Sequence, residues 1–223
     1  MDQVQLNNDN DRVRWRIGSS GKFSVKDLYF HLRSGGDFLH RFMWKIKVPL
    51  KVKIFMWLMI KDRILTKNNL TKRGWTGNTQ CHFCATEETV DHLIFRCSLA
   101  KMIWQIVVCA LDLPRAPVGV DDMLNGWLDA FPTSQKKLVL GGCAAVCWTI
   151  WKTRNDACFN RNFPNDPAAV VYRLCALLNS WAILQKNERR RKLEEGAEKI
   201  QLVRREVYAR SHGWSTNAAR IML

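Results

Sequence analysis

With 223 residues, 47% of them apolar, the chain can bury a core as one large domain or two small ones and is too apolar to be disordered throughout. Thirty-five Lys and Arg against twenty Asp and Glu give a net charge of +15, which points to polyanionic partners, nucleic acid before an anionic membrane surface. The longest apolar run, Leu138 to Trp151, has 14 residues, short of the ~20 needed to span a bilayer, so no membrane segment is expected.

Residues 1–11 are polar, with Asp2, Asn7, Asn8, Asp9, Asn10 and Asp11, and read as a disordered lead rather than a signal or transit peptide. An intracellular, nuclear or cytoplasmic protein is therefore expected. In a reducing compartment its eight cysteines serve as metal ligands or core residues and not as disulfides. Alternation from Arg12 through Trp15 to Ile17, a turn at Gly18–Gly21 and a second extended stretch from Lys22 to Val25 predict a short β-hairpin. Ser24 with Asp27 caps a helix carrying Val25, Leu28, Tyr29 and Leu32, which Gly35 and Gly36 end.

A brief helix at Phe42–Trp44 stops near Pro49, and a core helix with one basic edge follows over Leu50 to Leu65. Thr66 caps a further turn through Asn69, Leu70 and Arg73. Between residues 41 and 73 stand ten bases, Arg41, Lys45, Lys47, Lys51, Lys53, Lys61, Arg63, Lys67, Lys72 and Arg73, against the single acid Asp62. Clustering of this kind distinguishes a phosphate-binding face from scattered solubilising charge. Lys51, Lys53, Lys61, Arg63, Lys67, Lys72 and Arg73 are the candidate contacts. Trp44, Phe55, Trp57 and Trp75 are interleaved with them at a spacing that suits a core better than base stacking.

Immediately downstream, Cys81-x2-Cys84 is followed by His92-x4-Cys97. Two close pairs of thiolate and imidazole donors suit a closed tetrahedral zinc site, with no coordination position left for a substrate. Cys81, Cys84, His92 and Cys97 are the expected ligands, and His82 is expected to point away. Glu87, Glu88 and Asp91 are placed to start a short helix carrying His92.

Beyond this loop an amphipathic helix runs from Ser98 to about Leu111, closed by Pro114 and Pro117, and a short one from Met123 to Ala130 is capped by Asp121 or Asp122. The longest apolar helix spans Ser134 to about Phe159; its Cys143 and Cys147 lack a third ligand and read as small buried hydrophobes. After a turn at Asn160–Pro167, one helix is expected from Ala168 to Arg210. Its first half is apolar; its second half, from Glu188-Arg-Arg-Arg-Lys192 on, is charged and is expected to leave the core and stand in solvent.

Several separated segments together resemble the zinc-binding domain of plant non-LTR (LINE-type) retrotransposon reverse transcriptases. They are Trp15 with Gly21-Lys-Phe-Ser-Val25 and Tyr29; Trp44 to Leu58 through Pro49; Asp62-Arg-Ile-Leu-Thr66 with Leu70, Arg73 and Gly74; and the CCHC set. The segment Trp148-x2-Trp151-Lys-x-Arg154-Asn155-x3-Phe159 is similar to the one that commonly follows that domain. The resemblance implies zinc on the same four ligands. Reverse transcriptases carry a Tyr-x-Asp-Asp signature; the adjacent Asp121 and Asp122 lack the tyrosine, and the 60-odd residues after Asn160 are too few for a ribonuclease H fold.

The expected protein is thus mainly α, with a short N-terminal β-hairpin and one CCHC zinc loop. Residues 12–112 form the reverse-transcriptase-type domain, 118–185 a helical C-terminal region and 186–223 a basic helical tail. The expected function is non-catalytic: a zinc-stabilised module that binds RNA or DNA backbone with low sequence specificity. The alternative is a protein-interaction or structural domain of a domesticated retroelement fragment.

Overall fold

A computed structural model describes residues 42–164 and 166–211, so the hairpin expected over 12–25 and the helix after it lie outside the described residues. Within them every regular element is helical, and the β-type pairing is one isolated bridge between Gln80 and Glu87. None of these helices is long and apolar enough to cross a membrane.

A helical turn at 42–44 leads through Pro49 into α1 (Leu50–Ile60). This helix buries Val52, Phe55, Met56 and Met59, an i, i+3, i+4, i+7 stripe. The apolar sequence continues to Leu65, yet the helix stops at Ile60. Asp62 takes a left-handed φ of 51°, and the Arg63 amide donates back to the Leu58 carbonyl at 2.7 Å, closing a Schellman-type end. Aspartate tolerates that region better than most residues. Buried Asn69 then pins the turn by donating to the carbonyls of Asp62 (2.9 Å) and Ile64 (3.0 Å).

Thr66 caps α2 (Lys67–Thr71), its hydroxyl accepting from the Asn69 amide at 3.3 Å. Gly74 ends it at φ 88°, a conformation that a Cβ would strain, and lets the Trp75 amide reach the Leu70 carbonyl at 3.1 Å. After the metal loop come a π-type turn at His92–Arg96, α3 (Ser98–Ala110), α4 (Val120–Asn125) and a 3-10 turn at Trp127–Ala130. Asp121 and Asp122 lie in the first turn of α4, which Gly119 precedes without a side-chain cap.

The long helix α5 (Thr133–Asn160) is the axis of the fold: α1, the π-type turn, α3, the 3-10 turn and two later helices all pack on it. At 28 residues it is about 42 Å long. Phe55 of α1 meets Trp148 edge-on at 5.2 Å and Trp151 at 5.8 Å, so the aromatics expected in a core are partly there. Arg161 leaves α5 with φ 51°.

The C-terminal part departs from expectation. Instead of one helix over 168–210, there are two, α6 (Pro167–Ala182), capped by the Asp166 carboxylate, and α7 (Asn187–Ser211). The turn between them sends α7 back along α6 and against α3, where Ala197, Ile200 and Ala209 are buried. Gly196 passes Leu111 closely enough that a Cβ would lie 3.6 Å from its Cδ2. Burying the apolar stripes of both helices against one another outweighs continuing a lone charged helix into water.

Candidate metal centre

The metal loop begins as a knuckle. The Cys81 amide donates to the Thr86 carbonyl at 2.8 Å and the Glu88 amide to the Thr79 carbonyl at 3.0 Å, while the Phe83 amide points at Cys81 Sγ from 3.5 Å. The second half enters from the π-type turn. Its first residue is His92, whose amide donates to Thr89 Oγ1 at 3.1 Å, and the Cys97 amide donates to the His92 carbonyl at 2.6 Å. The wider turn swings the His92 ring and Cys97 Sγ toward the knuckle.

Cys81, Cys84, His92 and Cys97 come together, with all four ligand atoms within 4.8 Å of one another. Sγ of Cys81 and Cys97 are 3.7 Å apart, Sγ of Cys84 and Cys97 4.0 Å, and Cys84 Sγ lies 3.1 Å from His92 Nε2. A tetrahedron with Zn–S near 2.3 Å and Zn–N near 2.0 Å has edges of about 3.8 Å between sulfurs and about 3.5 Å from sulfur to nitrogen. The donors are therefore gathered at the scale of one ion, and three soft sulfurs with one imidazole select zinc-type chemistry over hard cations.

Electrostatics agree with that use. Burial lowers His92 from its ordinary value, which keeps the ring neutral and its nitrogen lone pair free for a metal. Donation from Cys81 holds the Cys97 thiol below the usual range, and the same bond together with burial pushes Cys81 up. A cation at the centre would draw all three sulfurs to thiolates. His82, by contrast, is exposed and meets the Phe163 ring in a T-shaped contact, centroids 6.0 Å apart.

The loop is anchored at three places. Asp91, beside His92, accepts from the Val120 amide at 2.9 Å and so holds the start of α4. Trp104 of α3 donates from its indole to the Ile94 carbonyl at 2.9 Å. The third anchor is Glu88, expected to help start the helix that carries His92 and found fully buried. Its Oε1 accepts from Arg154 Nη2 (2.6 Å), Arg154 Nε (3.0 Å) and the Lys67 amide (2.9 Å), and its Oε2 from Arg154 Nε at 3.2 Å.

Sequence reasoning missed this pair, although a signal existed. Cys143, Cys147, Ile150, Arg154 and Ala157 follow one another at alternating steps of four and three, all buried, so Arg154 occupies a core position of an amphipathic helix. A charge in such a stripe needs a partner.

The candidate basic face is divided by the structure. Lys67 is buried, with Nζ donating to the Gln80 carbonyl at 2.5 Å, and is thereby withdrawn from the contacts expected of it: its ammonium ties α2 to the knuckle. Lys72 pairs with Asp62 at 3.1 Å and donates to Asn69 Oδ1, and Lys53 donates to the Trp44 carbonyl at 3.0 Å. Lys51, Lys61, Arg63 and Arg73 are exposed.

Fold and site define a class: a helical domain stapled by a Cys3His cluster of the structural zinc type. Residues 23–104 match the family described as zinc-binding in reverse transcriptase, and the match takes in all four residues of the donor set. Over 105 residues the chain is 29% identical to an Arabidopsis thaliana protein named "Putative ribonuclease H protein"; the alignment covers 44% of this chain and 17% of that relative. No solved structure matches.

Proposed function

We propose that the chain is a zinc-stabilised nucleic-acid-binding module derived from a retrotransposon polyprotein, non-catalytic and working in a reducing intracellular compartment. The observation that carries this reading is the bonding of α2 to the metal loop. The Lys67 amide donates to Glu88 Oε1, Lys67 Nζ to the Gln80 carbonyl, the Asn68 amide to the Glu88 carbonyl at 3.2 Å, and the Asn68 side chain to Glu87. When bound, the metal supplies a closed cross-link with no open position. Through α2 that cross-link steadies the segment bearing Lys61, Arg63 and Arg73, which follows α1 and its exposed Lys51. Such side chains meet phosphates and read little sequence.

The test is fluorescence anisotropy of zinc-loaded protein with single-stranded RNA and duplex DNA across a salt series. Four phosphate contacts predict a slope of log affinity on log salt of roughly −3 on the single strand and roughly −4 on the duplex. Reversing Lys51, Lys61, Arg63 and Arg73 together abolishes binding while zinc content and helicity stay unchanged. Absence of binding at low salt would sink the reading.

A second reading, a non-catalytic protein-interaction domain, draws on one other observation. Gln185 donates to the Lys47 carbonyl at 2.8 Å, setting the turn between α6 and α7 beside the approach to α1, where Leu50, Ile183 and Leu184 are exposed. Partner binding that resists both nuclease and the four charge reversals would favour it.

A further inference from the structure

The matched zinc-binding segment ends at residue 104, yet the one carboxylate buried inside its metal loop is neutralised from outside it. Arg154 lies on α5, 66 residues downstream of Glu88, and both are almost wholly sealed from solvent. The guanidinium is fully placed: two of its nitrogens address Glu88, Nη1 donates to Asn155 Oδ1 at 3.1 Å, and the Trp151 and Phe159 rings flank it at 5.2 and 6.0 Å. Glu88 stands four residues after Cys84 and four before His92, so its position sets the path between the two halves of the donor set. The same Oε1 receives the first amide of α2.

We propose that Arg154 is a positioning residue of the metal centre, holding the ligand loop through Glu88 so that metal occupancy and docking of α5 are one coupled event. The physical argument is linkage. A closed loop needs its buried carboxylate paired, because an isolated buried charge forces the loop open toward water. An undocked α5 removes the pair, and the open loop spreads the four donors. Conversely, a metal that fixes the donors fixes Glu88, and a fixed Glu88 holds Arg154. The coupling is reciprocal, so whatever factor docking adds to metal affinity, the metal adds to docking. On this view the functional unit of the zinc-binding segment includes α5 and extends beyond the matched residues. The proposal rests on the metal reading above and is independent of nucleic-acid binding.

Two measurements on the full chain test it. The first is zinc affinity by competition with a chromophoric chelator. Arg154→Met and the milder Glu88→Gln are each expected to weaken zinc about tenfold or more, the scale on which groups behind metal ligands act. Arg154→Lys, keeping charge without the two-nitrogen fork, is expected to fall between. The second needs no variant: hydrogen exchange of the parent protein with and without chelator. Chelation is expected to accelerate exchange in 150–157 of α5 along with the loop itself, and to leave that acceleration absent in Arg154→Met, where the link is already cut. Zinc affinity within twofold of the parent in Glu88→Gln, or exchange in 150–157 indifferent to chelation, overturns the proposal. If the parent itself takes up no zinc, the metal reading fails first, and that outcome is distinguishable from either of these.

Discussion

Behind the metal loop Glu88 and its α5 partner Arg154 are buried to 0% and 2% side-chain exposure, whereas along α7 the pairs Arg190–Glu194, Arg191–Glu195, Lys192–Glu188 and Arg210–Glu206 stand in water one helical turn apart. The chemistry is the same and the consequences differ. On α7 the pairs keep a helix soluble while its attachment comes from Ala197, Ile200 and Ala209 against α6 and α3. Leu93, Ile94 and Phe95 of the second half-loop are buried too, but from Thr79 to Thr89 only Cys81 and Glu88 are, so attachment there falls to the donor set, the hydrogen bonds to α2 and one pair that cannot be broken without stranding a charge. One region is held by area, the other by a few groups with no substitutes.

Removing a metal ligand should separate the two regions most sharply. Cys97→Ser is expected to lower zinc affinity about 100-fold or more and to unprotect residues 79–97 in hydrogen exchange, while the contact of α6 with α7 persists. Next in size, Arg154→Met leaves Glu88 buried and unpaired and should cost about 3–5 kcal/mol in denaturant titration of the loaded protein. On the other side of the comparison, Ile200→Ala opens a cavity under α7 and should cost about 2–4 kcal/mol without altering zinc affinity.

Acid probes the loop more gently. Burial lowers His92 in the folded protein, so the unfolded chain takes up the proton more readily; the stabilisation is present above the unfolded value of about 6.5 and is lost as pH falls below it. Zinc release followed with an indicator dye should therefore begin on the acid side of neutrality and not on the alkaline side. Smallest of all, Arg190→Ala should change stability by less than about 0.5 kcal/mol, an effect that salt erases.

What could be read in the sequence followed from local chemistry. The Cys-x2-Cys and His-x4-Cys spacings announced the donor set, Thr66 announced a helix start, and the turn ending at Pro167 marked the entry to α6. Features decided by distant chain segments could not be read in the same way. Nothing local stops a helix at Ile183-Leu-Gln-Lys186, with no glycine or proline there; the reversal follows from what α7 can bury once α3 and α6 are in place. The end of α1 is intermediate: Asp62 is a mild signal on its own, and the Asn69 amide seven residues later makes it decisive. Lys67 shows the limit for charges, because a base in a basic run is solvated or structural according to a carbonyl, that of Gln80, 13 residues away.

The distribution of thiols gives the molecule a built-in reporter. Cys143 and Cys147 are buried, the first pushed up to about 12 and the second well above the usual range, and burial raises Cys175 to about 11. Cys109 alone among the eight is exposed, on the outer side of α3. An alkylating dye added at neutral pH to metal-loaded protein should thus attach chiefly at Cys109, and further equivalents that map to Cys81, Cys84 and Cys97 after chelation, as distinct from half-buried Cys158, would count ligand sulfurs coming free. Mass spectrometry of the labelled chain then becomes a direct gauge of how much of a preparation carries its ion.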